Sequence, residues 1–410
     1  MNEDVVTEIL LRLPPKSVYR FRLVSKAWNH TITFNPFFIE RYDSNLLRRE
    51  GGRRLLALFQ NTIARLYYPY QPESFEDFLN ILSFNGNSGI RNQSPELGSF
   101  INSSNGLILC SGARNRHEYH VVNPVTRKFV TLPPPPPLPA QDEYVALMCV
   151  ENKVELAAKF SVIRIESIPN KCQLTFGIRA YSSETGAWAA EPTVIVAHTA
   201  ILNLRVYLDP GSPFVMNGIY HWHTVQKTKL VLYRPAEEHI QIIQISDDCG
   251  ITVSAATIRR TPIDAGDVLW FARMERKTIK VFMLPKDIQP RPSFVACQEW
   301  VLKYDIRVDS LWNDSLLIPL KWEQPWRKII LDAFVPINDN NSKKKKKKKN
   351  TAPFDIIMRV ENAEAFLFHL DTESINYLEY EGSPVYEGHY VQNYPLHPYL
   401  EPPFLSTYAL

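Results

Sequence analysis

The chain has 410 residues, more than a typical single domain, and this length predicts two folded units. Its apolar content of 45% is ordinary for a globular protein, and no run of 18 or more apolar residues exists, which excludes an ordinary transmembrane helix. The formal net charge is +3, but seven positive charges lie together in Lys343 to Lys349. Without them the charge is 3 − 7 = −4, so the rest of the chain predicts no basic face for specific nucleic-acid binding.

The N-terminus and the cysteines indicate the compartment. The N-terminus carries Glu3 and Asp4 and no apolar core, so we expect no secretory signal. The five cysteines are scattered and form no CxxC pair. This pattern fits a reducing compartment and argues against a disulfide framework or a zinc site. We therefore expect a protein of the cytoplasm, the nucleus or both.

The first 40 residues have the pattern of three or four short helices. In the first helix, apolar residues fall at i, i+3, i+4 and i+7: Val6, Ile9, Leu10 and Leu13. Pro14-Pro15 is expected to stop it, because proline lacks an N–H and clashes with the preceding turn. Three later residues are candidate helix caps: Ser17, Ser25 and Asn35, the last followed by Pro36. The expected apolar residues of the second and third helices are Val18, Phe21 and Val24, then Trp28 and Ile32. A core of this size is marginal by itself, so we expect these apolar faces to be shared with another protein.

The run ILLRLPPKS…RFRLVSKAW resembles the F-box, a domain that docks a cullin–RING ubiquitin ligase by packing on its Skp-type adaptor. The resemblance implies a set of residues at or near the adaptor contact: Ile9, Leu10, Leu13, Pro14, Val18, Val24, Ser25, Lys26 and Trp28. F-boxes commonly open with a Leu-Pro pair ahead of the first helix, and this chain has none there, which could weaken docking. The alternative is that these residues merely build a helical hairpin.

Residues 43–54 are charged and are interpreted as a connector, after which the pattern changes to short β-type runs separated by turn residues. In one recurring unit a turn separates two apolar residues seven positions apart: Val122 and Phe129, Tyr181 and Trp188, Tyr233 and Ile240, and Leu370 and Tyr377. A weaker copy stands at Phe282. Two Asn-Gly pairs predict further hairpins, in SSNGLILCS (103–111) and VMNGIYHWH (215–223).

A four-stranded unit that recurs at about 50 residues is typical of a β-propeller. The runs NGLILC…VVNPVTRKFVTLPPPPP, YSSETGAW, NGIYHW and EWVLKY resemble the F-box-associated, kelch-like propeller of plant F-box proteins. The predicted fold is therefore multidomain, α plus all-β: a helical F-box in 1–42, the connector, and a propeller of six or seven blades in 55–410. The alternative is an irregular β-sandwich or two small β domains.

Two segments have a biased composition. The run Pro133 to Pro137 is expected to be a stiff connection between strands, although a proline run could also be a polyproline ligand for a partner. Residues 338–350 contain the seven lysines, whose mutual repulsion predicts a disordered insert between two strands. This insert could alternatively act as a nuclear-import signal or bind polyanions nonspecifically.

The search for chemical sites yields weak candidates. Strand alternation puts His221 and His223 on one face, where they could bind a metal, but no third ligand is placed by sequence. His117 and His120 are similarly weak candidates. No HExxH, GxSxG, P-loop or GxGxxG motif is present, and the pairs Glu237-Glu238 and Asp247-Asp248 are expected to be solvated. The sequence therefore predicts no metal, no cofactor and no catalytic constellation.

The two resemblances together imply a substrate-recognition subunit of an SCF-type (Skp–cullin–F-box) E3 ubiquitin ligase. The F-box would dock the adaptor, and through it the cullin–RING ligase, while propeller loops would bind an unknown target protein. The alternative is a propeller module that binds a ligand or glycan and has lost ligase docking, which the missing Leu-Pro start favours. An enzyme with an unrecognised propeller site is disfavoured, because no catalytic motif supports it.

Overall fold

The computed structural model describes residues 3–13, 15–35, 37–39, 41–42, 45, 55–60, 63–66, 97–104, 106–123, 128–136, 143–150, 159–168, 174–197, 208, 213–216, 218–224, 229–244, 253–258, 268–275, 278–284, 300–307, 329–336, 354–360, 365–377 and 397–400. Three predicted features lie outside these residues: Pro14, the connector 43–54 except Asn45, and the insert 338–350.

Three short helices open the chain: α1 (Glu3–Leu10), α2 (Pro15–Phe21) and α3 (Lys26–Phe34). Helical residues follow at 37–39 and 41–42. The predicted cap at Ser17 is wrong, because α2 already begins at Pro15, and a proline is pre-organised for the first helical position. No helix in the described part of the chain is long and apolar enough to span a bilayer.

These helices share one small core, whose buried members are Val6, Leu10, Leu11, Val18, Ile32, Phe38, Ile39 and Tyr42. The predicted apolar face of α1 is wrong at Ile9, which is 50% exposed. Leu11 is buried in the same core because the chain leaves the regular helix there, and its last turn tightens. The N–H of Arg12 donates to the carbonyl of Ile9 at 3.0 Å, three residues back instead of four.

Six antiparallel sheets occupy the rest of the described chain. The closing sheet contains β1 (Leu55–Gln60), β2 (Ile63–Leu66) and, from the far end of the chain, β24 (His397–Leu400). The first blade contains β3 (Leu97–Ser104), β4 (Leu107–Gly112), β5 (Tyr119–Asn123) and β6 (Lys128–Thr131). The second contains β7 (Glu143–Val150), β8 (Lys159–Ile168), β9 (Leu174–Ser182), β10 (Ala187–Trp188) and β11 (Thr193–Ala197).

Three more blades follow. The third contains β12 (Phe214–Met216), β13 (Ile219–His223), β14 (Lys229–Arg234) and β15 (His239–Gln244). The fourth contains β16 (Val253–Ile258), β17 (Val268–Glu275), β18 (Thr278–Met283) and β19 (Val301–Arg307). The fifth contains β20 (Ile329–Pro336), β21 (Phe354–Val360), β22 (Ala365–His369) and β23 (Ser374–Tyr377).

The blades are arranged as a propeller. Their first strands lie side by side in chain order, since β3 contacts β7, β7 contacts β12, β12 contacts β16, β16 contacts β20, and β20 contacts β24. The apolar cores lie between neighbouring blades. Trp222 of the third blade, for example, is fully buried in one cluster with Phe176 and Ile178 of the second. Packing of sheet face on sheet face around a ring distinguishes this fold from a two-sheet sandwich.

The described residues form five blades, and the prediction of six or seven was too high. The spacing argument counted the stretches near the start and the end of the propeller as blades of their own. Instead, β1 pairs with both β2 and β24, so the two ends of the propeller join in the single three-stranded closing sheet. A local repeat cannot reveal such a pairing, because its partners lie more than 300 residues apart in the sequence.

The strand registers confirm most of the predicted hairpins. Three of the pairs seven positions apart are cross-strand partners: Val122 with Phe129, Tyr181 with Trp188, and Tyr233 with Ile240. The Asn-Gly hairpins are confirmed too, with Gly106 and Gly218 at φ of 83° and 71° in their two-residue turns. The fourth pair is wrong by two residues. Phe368 lies opposite Ile375, whereas Leu370 is in the turn, where its burial resembles that of a strand residue.

The proline run is attached to the second blade at two points. The indole Nε1 of Trp188 donates to the carbonyl of Pro133 at 2.7 Å, and the buried guanidinium of Arg164 donates to the carbonyl of Pro136 at 2.8 Å. Trp188 itself packs between the first two blades, against Tyr119 and Tyr181. These contacts favour the stiff connection over the free polyproline ligand, because they occupy two of the carbonyls that a partner would need.

Candidate protein-interaction surface

Two side-chain caps fix the helices of the N-terminal domain. Ser25 precedes α3, and its Oγ accepts from the N–H of Trp28 at 3.1 Å, as predicted. Asn35 caps the next helical segment, where its Oδ1 accepts from the N–H groups of Phe37 and Phe38 at 3.0 and 3.1 Å. Each cap satisfies backbone donors that helix geometry leaves without a partner. The caps therefore set where α3 begins and where the chain turns after it.

Contacts between the helices hold them in one unit. The rings of Phe21 and Trp28 meet edge to face at 5.4 Å and join α2 to α3. The side chain of Arg22 donates from Nε to Oδ1 of Asn29 at 3.1 Å. Tyr42, in the last helical segment, donates its hydroxyl to the carbonyl of Leu13 at 2.8 Å. The connection between α1 and α2 is thus tied to the end of the domain.

This small unit leaves five large apolar side chains exposed: Val5, Ile9, Leu23, Val24 and Phe37. We call these five residues the exposed apolar set. Leu23 is 90% and Phe37 82% exposed, so neither contributes to the core of the domain. Val5 and Ile9 lie four residues apart in α1 and therefore share one helix face. Single exposed apolar residues are normal, but five within 33 residues of one small unit are typical of an interaction surface.

The nine residues that the F-box resemblance implies fall into three groups. Four are exposed: Ile9, Val24, Ser25 and Lys26. Leu13 and Trp28 are half-buried against the helical core, while Leu10 and Val18 are fully buried within it. Pro14 lies outside the described residues. In this conformation Leu10 and Val18 support the surface from beneath, so their contribution to docking would be indirect.

Sequence reasoning did not single out Leu23 and Phe37. Leu23 follows the end of α2, and Phe37 directly follows the Asn35-Pro36 cap. Both lie where helical periodicity no longer assigns a face. An apolar residue just outside a helix period was the available signal, but this signal does not distinguish an exposed residue from a buried one.

The predicted histidine sites serve the propeller core. His221 and His223 are both buried, and His221 stacks on Phe214 with ring centroids 4.6 Å apart. Burial lowers the pKa of His221 to about 3, so the ring is neutral at physiological pH. His120 is buried beside Thr131, and burial lowers its pKa as well. Within the described ranges, no group of three or more His, Cys, Asp or Glu residues is arranged to hold a metal.

A polar chain that the sequence did not indicate crosses the fifth blade. His369 lies between Asp355 and Asn376: its Nδ1 is 2.7 Å from Oδ2 of Asp355, and its Nε2 is 2.8 Å from Nδ2 of Asn376. The hydrogen bond with Asp355 raises the pKa of His369, and burial raises the pKa of Asp355. The three residues come from β21, β22 and β23, so the chain ties three strands together.

Neither described cysteine is placed as a nucleophile. Cys110 and Cys149 are buried and unoxidised. Burial raises the pKa of the Cys110 thiol, which disfavours the reactive thiolate. The Sγ of Cys149 lies 3.0 Å from the carbonyl of Ser104 on the neighbouring blade. Both thiols therefore have packing roles.

Comparison with known proteins agrees with this two-part organisation. Residues 1–40 match the model of the F-box domain. Residues 88–328 match the model of a family described as "F-box protein At3g26010-like, beta-propeller". The second match alone spans more than half of the 410 residues.

Similar proteins come from Arabidopsis thaliana. F-box protein At5g03970 is 22% identical over 392 residues, which are 93% of this chain and 83% of that protein. The putative F-box/kelch-repeat protein At4g22430 is 28% identical over 235 residues, 54% of this chain and 49% of that protein. Among solved structures, the β-propeller domain of Myceliophteria thermophila Cps50 (Swd1) aligns with 72% of this chain and 77% of that chain at 10% identity, with a TM-score of 0.34, which is too low to carry an argument. The family matches and these relatives show that the chain belongs to the F-box protein At3g26010-like β-propeller family, as a plant F-box protein in which an F-box precedes a propeller.

Proposed function

We propose that this protein is a non-enzymatic substrate-recognition subunit of an SCF-type E3 ubiquitin ligase. Its F-box docks a Skp-type adaptor, and its propeller holds a target protein close to the ubiquitin-charged enzyme of the cullin–RING assembly. The single observation that carries the proposal is the exposed apolar set on the F-box. These side chains lie in a domain too small to bury them, and a partner would remove them from water.

The energetics of the exposed apolar set favour docking. Fully burying one leucine or phenylalanine side chain contributes about 1.5–3 kcal/mol. Leu23 and Phe37 are almost completely exposed, so most of this free energy is available on binding. The caps at Ser25 and Asn35 hold α3 and the helical turn at Phe37 in place before binding. Less conformational entropy is then lost when the adaptor docks.

The propeller supplies the rigid part of the receptor. Its cores between blades leave the connecting loops at the two ends of the ring, where they can vary without disturbing the fold. Binding a target there raises the effective concentration of its lysines near the ubiquitin thioester. The transfer chemistry belongs to other subunits, so the receptor needs no catalytic group of its own.

Charge substitutions on the exposed apolar set test the docking step. The chain is co-expressed with a Skp-type adaptor as wild type, Leu23→Asp and Ile9→Asp. Each aspartate replaces an exposed side chain, so the F-box is expected to stay folded while adaptor affinity falls at least about tenfold. Leu302→Asp is the matched control, because Leu302 is an exposed leucine of the propeller. Equal adaptor recovery from Leu23→Asp, Ile9→Asp and the control would contradict the docking surface.

A further inference from the structure

The outer position of the second blade is divided between two strands. Both β10 and β11 pair with β9, on the edge that β8 does not occupy. Trp188 lies opposite Tyr181, but Thr193 lies opposite Ile178, so five steps along the outer strand match three along β9. Two extra residues therefore interrupt the outer strand ahead of β11, as in a wide bulge.

The interruption is held by a buried arginine. Nη1 of Arg179 donates to the carbonyls of Ala189 (3.1 Å) and Ala190, and only 6% of Arg179 is exposed. The N–H of Ala189 donates in turn to the carbonyl of Ala180 at 2.7 Å. Strand β11 thus begins from a fixed point, and five consecutive register pairs with β9 keep it straight. Its free edge is presented in a defined conformation.

The exposed face of β11 is apolar. Val194 and Val196 are 57% and 37% exposed, while Ile195 between them is buried in the core shared with the third blade. The sequence of β11, TVIVA, has no charged residue. Alternate residues of an edge strand direct their N–H and C=O groups away from the sheet. In the part of the chain that the structure describes, no strand pairs with that outer edge.

Other outer strands carry residues that discourage pairing. Strand β19 includes Lys303, Asp305 and Arg307, and β6 begins with Lys128. Charged side chains on an edge are a common way to prevent another strand from adding to a sheet. Strand β11 lacks this protection and is enriched in β-branched residues, which have a high propensity for strand pairing.

We propose that β11 is a docking edge for an extended segment of a partner protein, which adds to the second blade as a further strand. Main-chain hydrogen bonds to the outer edge of β11 would supply affinity, and apolar side chains packed on Val194 and Val196 would supply selectivity. The partner segment is therefore uncharged and rich in β-branched or aromatic residues at alternate positions. Only the identification of this partner with the ubiquitination target rests on the proposed function.

The dimensions of the edge favour a peptide over a second copy of the chain. A stable protein dimer buries about 1,200–2,000 Å² in total. A strand of five residues is too short to bury that area by edge pairing alone. An extended peptide loses little contact beyond the strand it pairs with, and its backbone matches every outward N–H and C=O group of β11. The edge therefore fits a linear segment.

A peptide selection tests the proposal without the adaptor, so its failure and failure of ligase docking are separate results. Random twelve-residue peptides displayed on phage are selected on the immobilised full-length protein, and the enriched peptides are titrated against wild type and variants. Val194→Lys is expected to weaken binding at least tenfold. Val194→Thr, which stays β-branched and uncharged, is expected to bind within about threefold of wild type. Equal melting temperatures of the two variants show that folding is intact.

Backbone methylation provides the second readout. N-methylation at alternate peptide residues blocks one edge of an added strand, so one methylation pattern is expected to abolish binding and the complementary pattern to leave it intact. The proposal is overturned if no peptide is enriched, if Val194→Lys binds normally, or if both methylation patterns act alike. A dimer of the unliganded protein that dissociates on Val194→Lys would assign the edge to a second copy and would also overturn it.

Discussion

The side-chain amide of Asn102 hydrogen-bonds both backbone groups of Leu147. Its Nδ2 donates to the carbonyl at 3.0 Å, and its Oδ1 accepts from the N–H at 2.9 Å. Asn102 belongs to the first strand of the first blade and Leu147 to the first strand of the second. The amide thus completes the hydrogen bonding of a strand that has no backbone partner on that side. Two blades are joined at the inner ring by one buried side chain.

We expect Asn102→Ala to destabilise the propeller by about 2–4 kcal/mol, because two buried backbone groups of Leu147 lose their partner. Asn102→Asp keeps an acceptor for the N–H but offers no donor to the carbonyl, so it should also be destabilising. Urea unfolding followed by tryptophan fluorescence measures both effects. Asn376→Ala, at an exposed residue of the fifth blade, is the comparison. Similar midpoints for Asn102→Ala and Asn376→Ala would show that the interblade amide has no special role.

Three four-residue hairpin loops share one backbone feature. Their fourth residues are Gly186, Glu238 and Glu373, with φ of 65°, 48° and 51°. Glycine adopts this left-handed region without a penalty, whereas other residues lose roughly 1 kcal/mol. Glu238→Gly and Glu373→Gly should therefore each raise stability by about 0.5–1 kcal/mol, since added freedom of the unfolded chain offsets part of the gain.

Gly186→Ala is the reciprocal control for the loop substitutions. A Cβ at this position would have no atom within 4 Å, so any loss must come from the backbone conformation. We expect a destabilisation of about 1 kcal/mol in thermal unfolding. A neutral Gly186→Ala together with neutral Glu→Gly changes would show that these loops relax into another turn.

The buried His221 predicts a loss of stability in acid. Burial lowers its pKa to about 3, whereas the unfolded chain has the ordinary value near 6.5. Between these two values the unfolded state binds the proton and the folded state does not. The stability contributed by neutral His221 is thus present above pH 6.5 and is lost as the pH falls, by about 2 kcal/mol at pH 5.

His221→Phe removes the titrating group and keeps a ring to stack on Phe214. Its unfolding free energy should depend less on pH between 6.5 and 5 than that of the wild type. His239→Phe, at an exposed position of the same blade, should leave the wild-type slope unchanged. Parallel pH profiles for wild type and His221→Phe would exclude the buried ring as the source.

The proline connection should depend on the indole of Trp188. Trp188→Phe keeps an aromatic ring near Tyr181 but removes the N–H that donates to the carbonyl of Pro133. We expect a loss of about 1 kcal/mol, the usual net contribution of one hydrogen bond. Hydrogen exchange or limited proteolysis should show faster opening at 133–136 in this variant. Unchanged protection there would mean that Arg164 alone holds the run.

Local signals in the sequence were sufficient for much of the fold. Asn105-Gly106 and Asn217-Gly218 fix two-residue turns through glycine at positive φ, and seven-residue spacing identified three four-residue hairpins in register. Ser25 and Asn35 were found as caps because capping needs a specific side chain next to a helix start.

Features that depend on distant partners could not be predicted. The pairing of β1 with β24 and the Asn102–Leu147 contact join residues far apart in sequence, so no periodicity encodes them. Ile9 was assigned to the buried face because its spacing fits the helix, yet it is half exposed. Spacing assigns a residue to a face but does not show whether that face meets the domain's own core or a partner.

The most direct measurement of the account is light scattering of the wild-type chain co-expressed with a Skp-type adaptor and separated by size. The receptor role predicts a one-to-one complex whose mass is the sum of the adaptor and the 47.3 kDa chain. Leu23→Asp should shift the chain to a folded species without adaptor. A wild-type chain that elutes alone and folded would contradict the account and would indicate a propeller module that binds its ligand without a ligase.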